Sequence, residues 1–345
     1  SLPDELPYHH PEQILKEGNF INARITDLDK KRKILFAELA DDGYLQCAAV
    51  VLSAQSGEIL ALSGGYDFYD DANKGKWNRV TQAYRQIGSC IKPFFFAATL
   101  EDRGYTAGTI LYDSPLTFYS GNQKWMPRNY ENKFYGPTAF QEALEHSRNV
   151  VSIKLLNHLG VKRGIDWLAR FGMQENRRRP VPHNLTLALG SVEATPLELA
   201  KAYQVFAHDG TYIEPIAYRQ VTDSNGEVIV RQPIRENIVL SESNAYIMTN
   251  VMKGVMERGT GFEPIGSRWP KEYPPIAGKT GTTDDCSEAW MAGYSPEYLL
   301  VIYVAFDRKI SLGPKMSGGK VAGPMWYEIM KGIYDQKGIE KPDYR

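Results

Sequence analysis

Apolar positions recur along this chain with two periods, and the change from one to the other divides it. In NFINARITD and KILFAEL every second residue is apolar, on either side of the charged run DKKRK, which predicts two strands over 14–40 joined by a turn. Such a hairpin cannot bury itself, so it is expected to be the remnant of a small β-unit. AAVVLSAQSGEILALSGG at 48–65 predicts a second hairpin turning at Ser56-Gly57. After a polar loop to about Gln86 the period lengthens. GSCIKPFFFAATL predicts a helix packed on a core. Phe140, Leu144, Val151, Ile153, Leu155, Leu156, Ile165, Leu168 and Phe171 keep helical spacing from Thr138 to Phe171, with Gly160 and Gly172 as stops. TPLELAKAYQVFAHDG predicts a helix with Thr195 before Pro196 in the first position, and SESNAYIMTNVMKGVME predicts another. Strands are expected around AGKTGTT, AWMAGYSP and YLLVIYVAFD, and a closing helix at PMWYEIMKGIY. Residues 104–137 follow neither period; their Gly, Pro, Asn and aromatic residues suit either a site wall or a plain surface loop. Hairpin-connected strands interrupted by helices predict an α/β (α+β) architecture, an antiparallel sheet sandwiched by helices on both faces.

Composition narrows the possibilities without choosing among them. With 345 residues the chain can bury a large core, and with 40 basic against 41 acidic residues it has no overall positive field for nucleic acid. DKKRK at 29–33 and RRR at 177–179 are expected to be solvated turns. No run approaches the roughly 18 apolar residues of a membrane span. The opening SLPDELPY has no Met and no apolar leader, so the chain looks like an excised fragment with any anchor or export signal upstream. Cys47, Cys90 and Cys286 have neither metal-ligand spacing nor an even count, and nothing in the chain calls for a metal or cofactor.

The candidate chemistry starts at Ser89. Pro93 is tolerated only in a first helical turn, so a helix continuing through FFFAATL opens no earlier than about Ser89. Free N–H groups and the positive end of the helix dipole then favour negative charge beside the serine oxygen, and Lys92, at i+3, can reach its hydroxyl. A serine, a base in reach and anion donors are parts of an acyl-transfer site. Cys90, one residue on, is rotated away from the lysine face and is expected in the core. Ser317-Gly-Gly-Lys320 repeats the spacing, but two glycines argue for a turn instead of a helix start, so it reads as a decoy. Ser147-Arg148-Asn149 offers a hydroxyl and a carboxamide two residues apart, a pattern shared by Ser120-Gly121-Asn122. In GKTGTT, Lys279 brings a cation, Thr280 and Thr282 hydroxyls, and Gly281 room for a peptide to approach a strand edge.

Taken in order, Ser-x-x-Lys, Ser-x-Asn and Lys-Thr-Gly resemble the three motifs of the penicillin-binding and serine β-lactamase family. RQIGSCIKPFFFAATLEDRGY, SRNVVSIKLL, LTLALGSVEATPLELAKAYQVFAHDGTY, GKTGTTDDCSEAWMAGYSP and SGGKVAGPMW are similar to the transpeptidase domain of bifunctional, class A penicillin-binding proteins. Cys90 and Ile91 stand where small and aromatic residues are more usual. The resemblance implies a transpeptidase domain over 44–345, preceded at 1–43 by part of an OB-like insert, with a glycosyltransferase domain and a membrane anchor upstream. It implies Ser89 as nucleophile, Lys92 as base, Ser147 as proton relay, Asn149 as holder of the substrate amide, and Lys279, Thr280 and Thr282 at its carboxylate, beside Gly281. The backbone N–H groups of Ser89 and Thr282 would form the oxyanion hole. A lysine at its reference pKa of about 10.4 is neutral in only roughly one molecule in 2,500 at pH 7, so burial and a second cation, Lys279, must favour the free amine. The implied partners are peptidoglycan stem peptides and β-lactam antibiotics, at the periplasmic or extracytoplasmic face of the cytoplasmic membrane.

Rival readings differ in testable ways. A β-lactamase of the class that activates water with a Glu-x-x-x-Asn loop is disfavoured, because no Glu from 175 to 272 has Asn four residues on. A β-lactam sensor domain or a D,D-carboxypeptidase of the same fold would share all three motifs. A Ser-His-Asp hydrolase lacks its Gly-x-Ser-x-Gly elbow, and His146 reads as a helix-surface residue.

Overall fold

In the run YLLVIYVAF every residue is apolar or aromatic, so both faces of any strand it forms must be covered. It forms the middle of the sheet. The computed structural model of the protein describes residues 23–29, 32, 34–39, 45–70, 74–120, 123–176, 179–283 and 285–337. The strands β1 (Ala23–Asp29) and β2 (Ile34–Leu39) pair antiparallel as a separate two-stranded sheet, the hairpin expected over 14–40. Residues 1–22 and 40–44 of that N-terminal segment lie outside the described residues.

The main sheet comprises β3 (Gln46–Ser53), β4 (Ile59–Ser63), β5 (Ala277–Thr282), β6 (Glu288–Tyr294) and β7 (Tyr298–Ala305). It is five-stranded and antiparallel in the order β5-β6-β7-β3-β4. Side chains alternate between two cores, as the pleat requires. Leu299, Val301, Tyr303 and Ala305 join one cluster, with Trp290, Ala292, Val50 and Leu52, whereas Tyr298, Leu300, Ile302 and Val304 join the other, with Met291 and Val51.

Helices cover both faces. Described in chain order, they are α1 (Lys92–Arg103), α2 (Phe140–Glu145), α3 (Asn149–Leu159), α4 (Val161–Arg170), α5 (Pro196–Ala207), α6 (Glu242–Glu257) and α7 (Gly318–Lys337), besides the one-turn helix Arg79–Gln82. α7 closes the second face, where Trp326 is buried and donates its Nε1 hydrogen to the Leu300 carbonyl at 3.0 Å. On the first face α1 lies at the centre of the larger core. Phe94, Phe95, Phe96, Ala97 and Ala98 are all buried, the mark of a helix surrounded by protein. Phe94 packs on Phe171 and Tyr203 with ring centroids 4.9 and 5.4 Å apart. The expected cap of α5 is present: Thr195 Oγ1 accepts from Glu198 N at 3.2 Å, and Glu198 Oε2 accepts from Thr195 N at 3.0 Å. Gly160 and Gly172, with φ of 92° and 82°, end α3 and the α4 segment as expected.

Three expectations change. The segment 104–137 contains short strand pairs, Ile110–Asp113 with Gly136–Ala139 and Phe118–Ser120 with Gln123–Trp125. Arg179 is not solvated: it is 1 % exposed, with its guanidinium 3.0 Å from the Glu198 carboxylate. Arg177 and Arg178 lie outside the described residues. The closing helix starts at Gly318, well before Pro324, so Ser317 does precede a helix, contrary to the turn expected there. The glycines matter in another way, since a Cβ on Gly318 would lie 2.0 Å from the Gly281 carbonyl oxygen, so only glycine lets this helix end abut β5.

Candidate active site

Ser89 lies in a single 3-10 turn, Gly88–Ile91, that feeds directly into α1 with Pro93 in its first turn. In such a turn residues three apart are eclipsed, so Ser89 and Lys92 lie on one line, closer to alignment than an α-helix would bring them. The Lys92 backbone N–H donates to the Ser89 carbonyl. Gly88 makes the entry possible, with φ of 52° and space so tight that a Cβ would meet the Thr282 carbonyl oxygen at 2.4 Å.

Lys92 is fully buried. Its Nζ donates to the Ser147 carbonyl at 2.7 Å, lies 3.0 Å from Ser147 Oγ, and donates to Asn149 Oδ1 at 2.7 Å. Ser147 occupies the break between α2 and α3 with φ of 56°, a left-handed conformation rare for serine, which turns both its carbonyl and its hydroxyl to the lysine. Asn149 opens α3, and its Nδ2 donates to the Arg128 carbonyl at 3.1 Å.

β5 is the edge strand of the main sheet and runs past the Ser89 turn, where Cys90 Sγ donates to the Lys279 carbonyl at 3.4 Å. Lys279 is fully buried, and its Nζ donates to the Thr280 carbonyl at 3.0 Å. Burial pushes its ammonium down to about 8 from the usual 10.5. Thr280 and Thr282 face the cleft; Gly281 does not line it but permits close packing, since a Cβ there would meet the Ile87 carbonyl oxygen at 2.5 Å. Cys90 is fully buried, and burial pushes its thiol up to about 12, which leaves it no nucleophilic role.

These segments enclose a cleft of about 260 Å³, lined by Ser89, Ser147, Asn149, Thr280 and Thr282. The three motifs therefore converge. Sequence reasoning missed other lining residues. Asn129, Tyr130 and Glu131 come from the irregular 104–137 segment, and Thr260 shares a 2.9 Å hydroxyl contact with Thr280. His146, read as a helix-surface residue, caps α2 and lines the cleft. Ser317 also lines it, while Lys320 is exposed. Gly121 and Asn122 of the second Ser-x-Asn lie outside the described residues. Among the described residues no group of acidic, His and Cys side chains could hold a metal ion, and no helix is long and apolar enough to cross a membrane.

A model of the penicillin-binding protein transpeptidase domain matches residues 47–331. Penicillin-binding protein 1A of Pseudomonas aeruginosa is 32% identical over 83% of this chain and 40% of its own length, and that of Neisseria lactamica 36% identical over 88% and 38%. The crystal structure of penicillin-binding protein 1A from Haemophilus influenzae superposes with a TM-score of 0.79 at 28% identity, covering 89% of this chain and 50% of that one. The chain thus spans well under half the length of these curated relatives. With the match running through all three convergent motifs, the chain belongs to the penicillin-binding protein transpeptidase domain family.

Proposed function

We propose that this domain is a serine D,D-transpeptidase, cross-linking peptidoglycan stem peptides through an acyl-enzyme on Ser89 and acylated there by β-lactams. The observation that carries the reading is the setting of Lys92: a buried amine with its hydrogens directed at Ser147 and Asn149, one helical turn from a serine that opens on the cleft. In this setting Lys92 serves as the base for the Ser89 hydroxyl. Ser89 attacks the carbonyl of the penultimate residue of a stem ending in D-Ala-D-Ala, and Lys92 takes its proton. The backbone N–H groups of Ser89 and Thr282 stabilise the oxyanion, a contribution of about 2.7–4 kcal/mol per donor. Ser147 passes a proton to the departing D-Ala amine, and Asn149 holds the substrate amide. Thr280 and Thr282 receive the terminal carboxylate, with the buried Lys279 ammonium at the Thr280 carbonyl, while Gly281 keeps β5 close to the Ser89 turn. An amine of a neighbouring stem then takes the acyl group.

Hydrolysis of that acyl group needs a base for water. Among the described residues the acid lining the cleft is Glu131, whose carboxylate accepts from Arg148 at 3.0 Å and from the Tyr135 hydroxyl at 2.6 Å. Held by Arg148 and Tyr135, it is not assigned the activation of water, and the acyl-enzyme is expected to be long-lived. The domain works outside the cytoplasmic membrane, where its substrate lies, with residues 1–43 linking it as part of an OB-like insert to an upstream glycosyltransferase domain and anchor. Mass spectrometry after exposure to penicillin tests the site: a lasting adduct on the peptide holding Ser89 is expected, and rapid release of hydrolysed drug overturns the assignment in favour of a β-lactamase.

A further inference from the structure

Asn149 must present one particular end of its carboxamide to Lys92. The oxygen and nitrogen ends have nearly the same shape, so packing alone cannot choose between them; hydrogen bonds must. With Oδ1 inward, the amide accepts a hydrogen from Lys92. With Nδ2 inward, it would donate to the lysine lone pair, the pair that has to receive the Ser89 proton.

The choice is made by the Arg128 carbonyl, which accepts from Asn149 Nδ2 at 3.1 Å. Arg128 lies in irregular chain, where a carbonyl has no ladder to hold it. Its neighbour supplies the hold. Asn129 is 4 % exposed, and its Nδ2 donates to Asp113 Oδ2 at 2.7 Å and to the Lys133 carbonyl at 2.8 Å. Its Oδ1 accepts from Val150 N, in the first turn of α3, at 3.3 Å. Asp113 is itself 1 % exposed, ends the strand Ile110–Asp113 and accepts from Tyr135 N at 3.3 Å. A buried bracket therefore runs from a short strand pair, through Asn129, to the carbonyl beneath the catalytic carboxamide.

Building on the assignment of Lys92 as base, we propose that Asn129, anchored by Asp113, is a positioning residue that fixes the Asn149 carboxamide and so aims the Lys92 lone pair at Ser89. Both amide hydrogens and the oxygen of Asn129 are engaged within the bracket, so it acts through Asn149.

A loop anchor with no further role would change stability when removed, and nothing else. The positioning role has a separate sign. Without the bracket the carboxamide can turn, and the lysine ammonium then loses an acceptor and meets a donor. Protonation becomes less favourable while the lone pair is occupied, so acylation slows even as its acid limb moves to lower pH.

The test is the second-order rate of acylation by a fluorescent penicillin, from acid to alkaline pH, for the wild type, Asn129→Ala, Asn129→Ser and Asp113→Asn, with thermal melts alongside. Both Asn129 variants are expected to label Ser89 to completion but on the order of tenfold more slowly, with the acid limb displaced to lower pH. Asp113→Asn, which keeps an acceptor facing Asn129, is expected to retain the wild-type profile. Asn129→Ser, which leaves a polar group near Val150 N, decides the matter should the alanine variant not fold. An unmoved acid limb in the Asn129 variants, whatever their rate, overturns the proposal and leaves Ser89 as nucleophile. A wild-type domain that takes no label at Ser89 overturns the underlying assignment instead.

Discussion

Ser89 and Ser317 each stand three residues before a lysine, each at a helix start, and each lines the same cleft. The lysines part company. Lys92 is fully buried and bonded to Ser147 and Asn149, whereas Lys320 is exposed. The residues between them explain the difference. Cys90 and Ile91 are buried, and the helix that follows is buried all round through Leu100, so Lys92 is carried inward with them. Gly318 and Gly319 have no side chains to bury; they let α7 abut β5, and the turn that follows leaves Lys320 in water. Spacing brings a lysine near a serine in both places, but the surroundings differ: Lys320 lies in water, whereas Lys92 is buried among oriented acceptors.

The largest expected effect breaks the symmetry outright. Ser89→Ala should take up no fluorescent penicillin, and residual label located on Ser317 by peptide mapping would reverse the roles of the two serines. Lys92→Ala should keep the nucleophile but acylate about 10²–10⁴-fold more slowly, measured by stopped-time labelling. A smaller effect follows from Lys279. Burial pushes its ammonium down to about 8, so the cation beside Thr280 is present below that pH and is lost as pH rises through it. Affinity for a carboxylate-bearing β-lactam should therefore fall several-fold between neutral and alkaline pH, while a neutral carboxyl ester should bind with no such dependence. The smallest effect sharpens the contrast: Lys320→Ala should acylate at the wild-type rate, and a loss as large as that of Lys92→Ala would make the second pair functional.

Much of this arrangement is legible in the sequence where the determinants are local. The capping box at Thr195 and Glu198, the glycine stops at Gly160 and Gly172, and the Ser56-Gly57 hairpin each depend on residues a few places apart. Likewise, Pro93 places the mouth of α1, and with it Ser89. What escapes is non-local. Arg179 sits in a run of charge that reads as solvent-facing, and its burial depends on Glu198 in another element. Thr260 meets Thr280 from a separate segment of chain, and nothing in its own neighbourhood marks it. Asn129 lies in a stretch without a period because its strands are short and one of their pairs spans more than twenty intervening residues, Ile110 with Ala139. The paired glycines at 318–319 indicate conformational freedom, yet here their use is close approach, which only the opposing strand reveals.

The middle of the sheet joins β3 to β7, so that Gln46 lies opposite Ala305. Strands far apart along the chain are thus neighbours in the sheet, and such distant pairings form slowly because long loops must close first. β5, the neighbour of the Ser89 turn, reaches β3 only through β6 and β7, so the wall beside Ser89 belongs to the same sheet as that distant pairing. Uptake of a fluorescent penicillin during refolding is therefore expected to trail closure of the sheet.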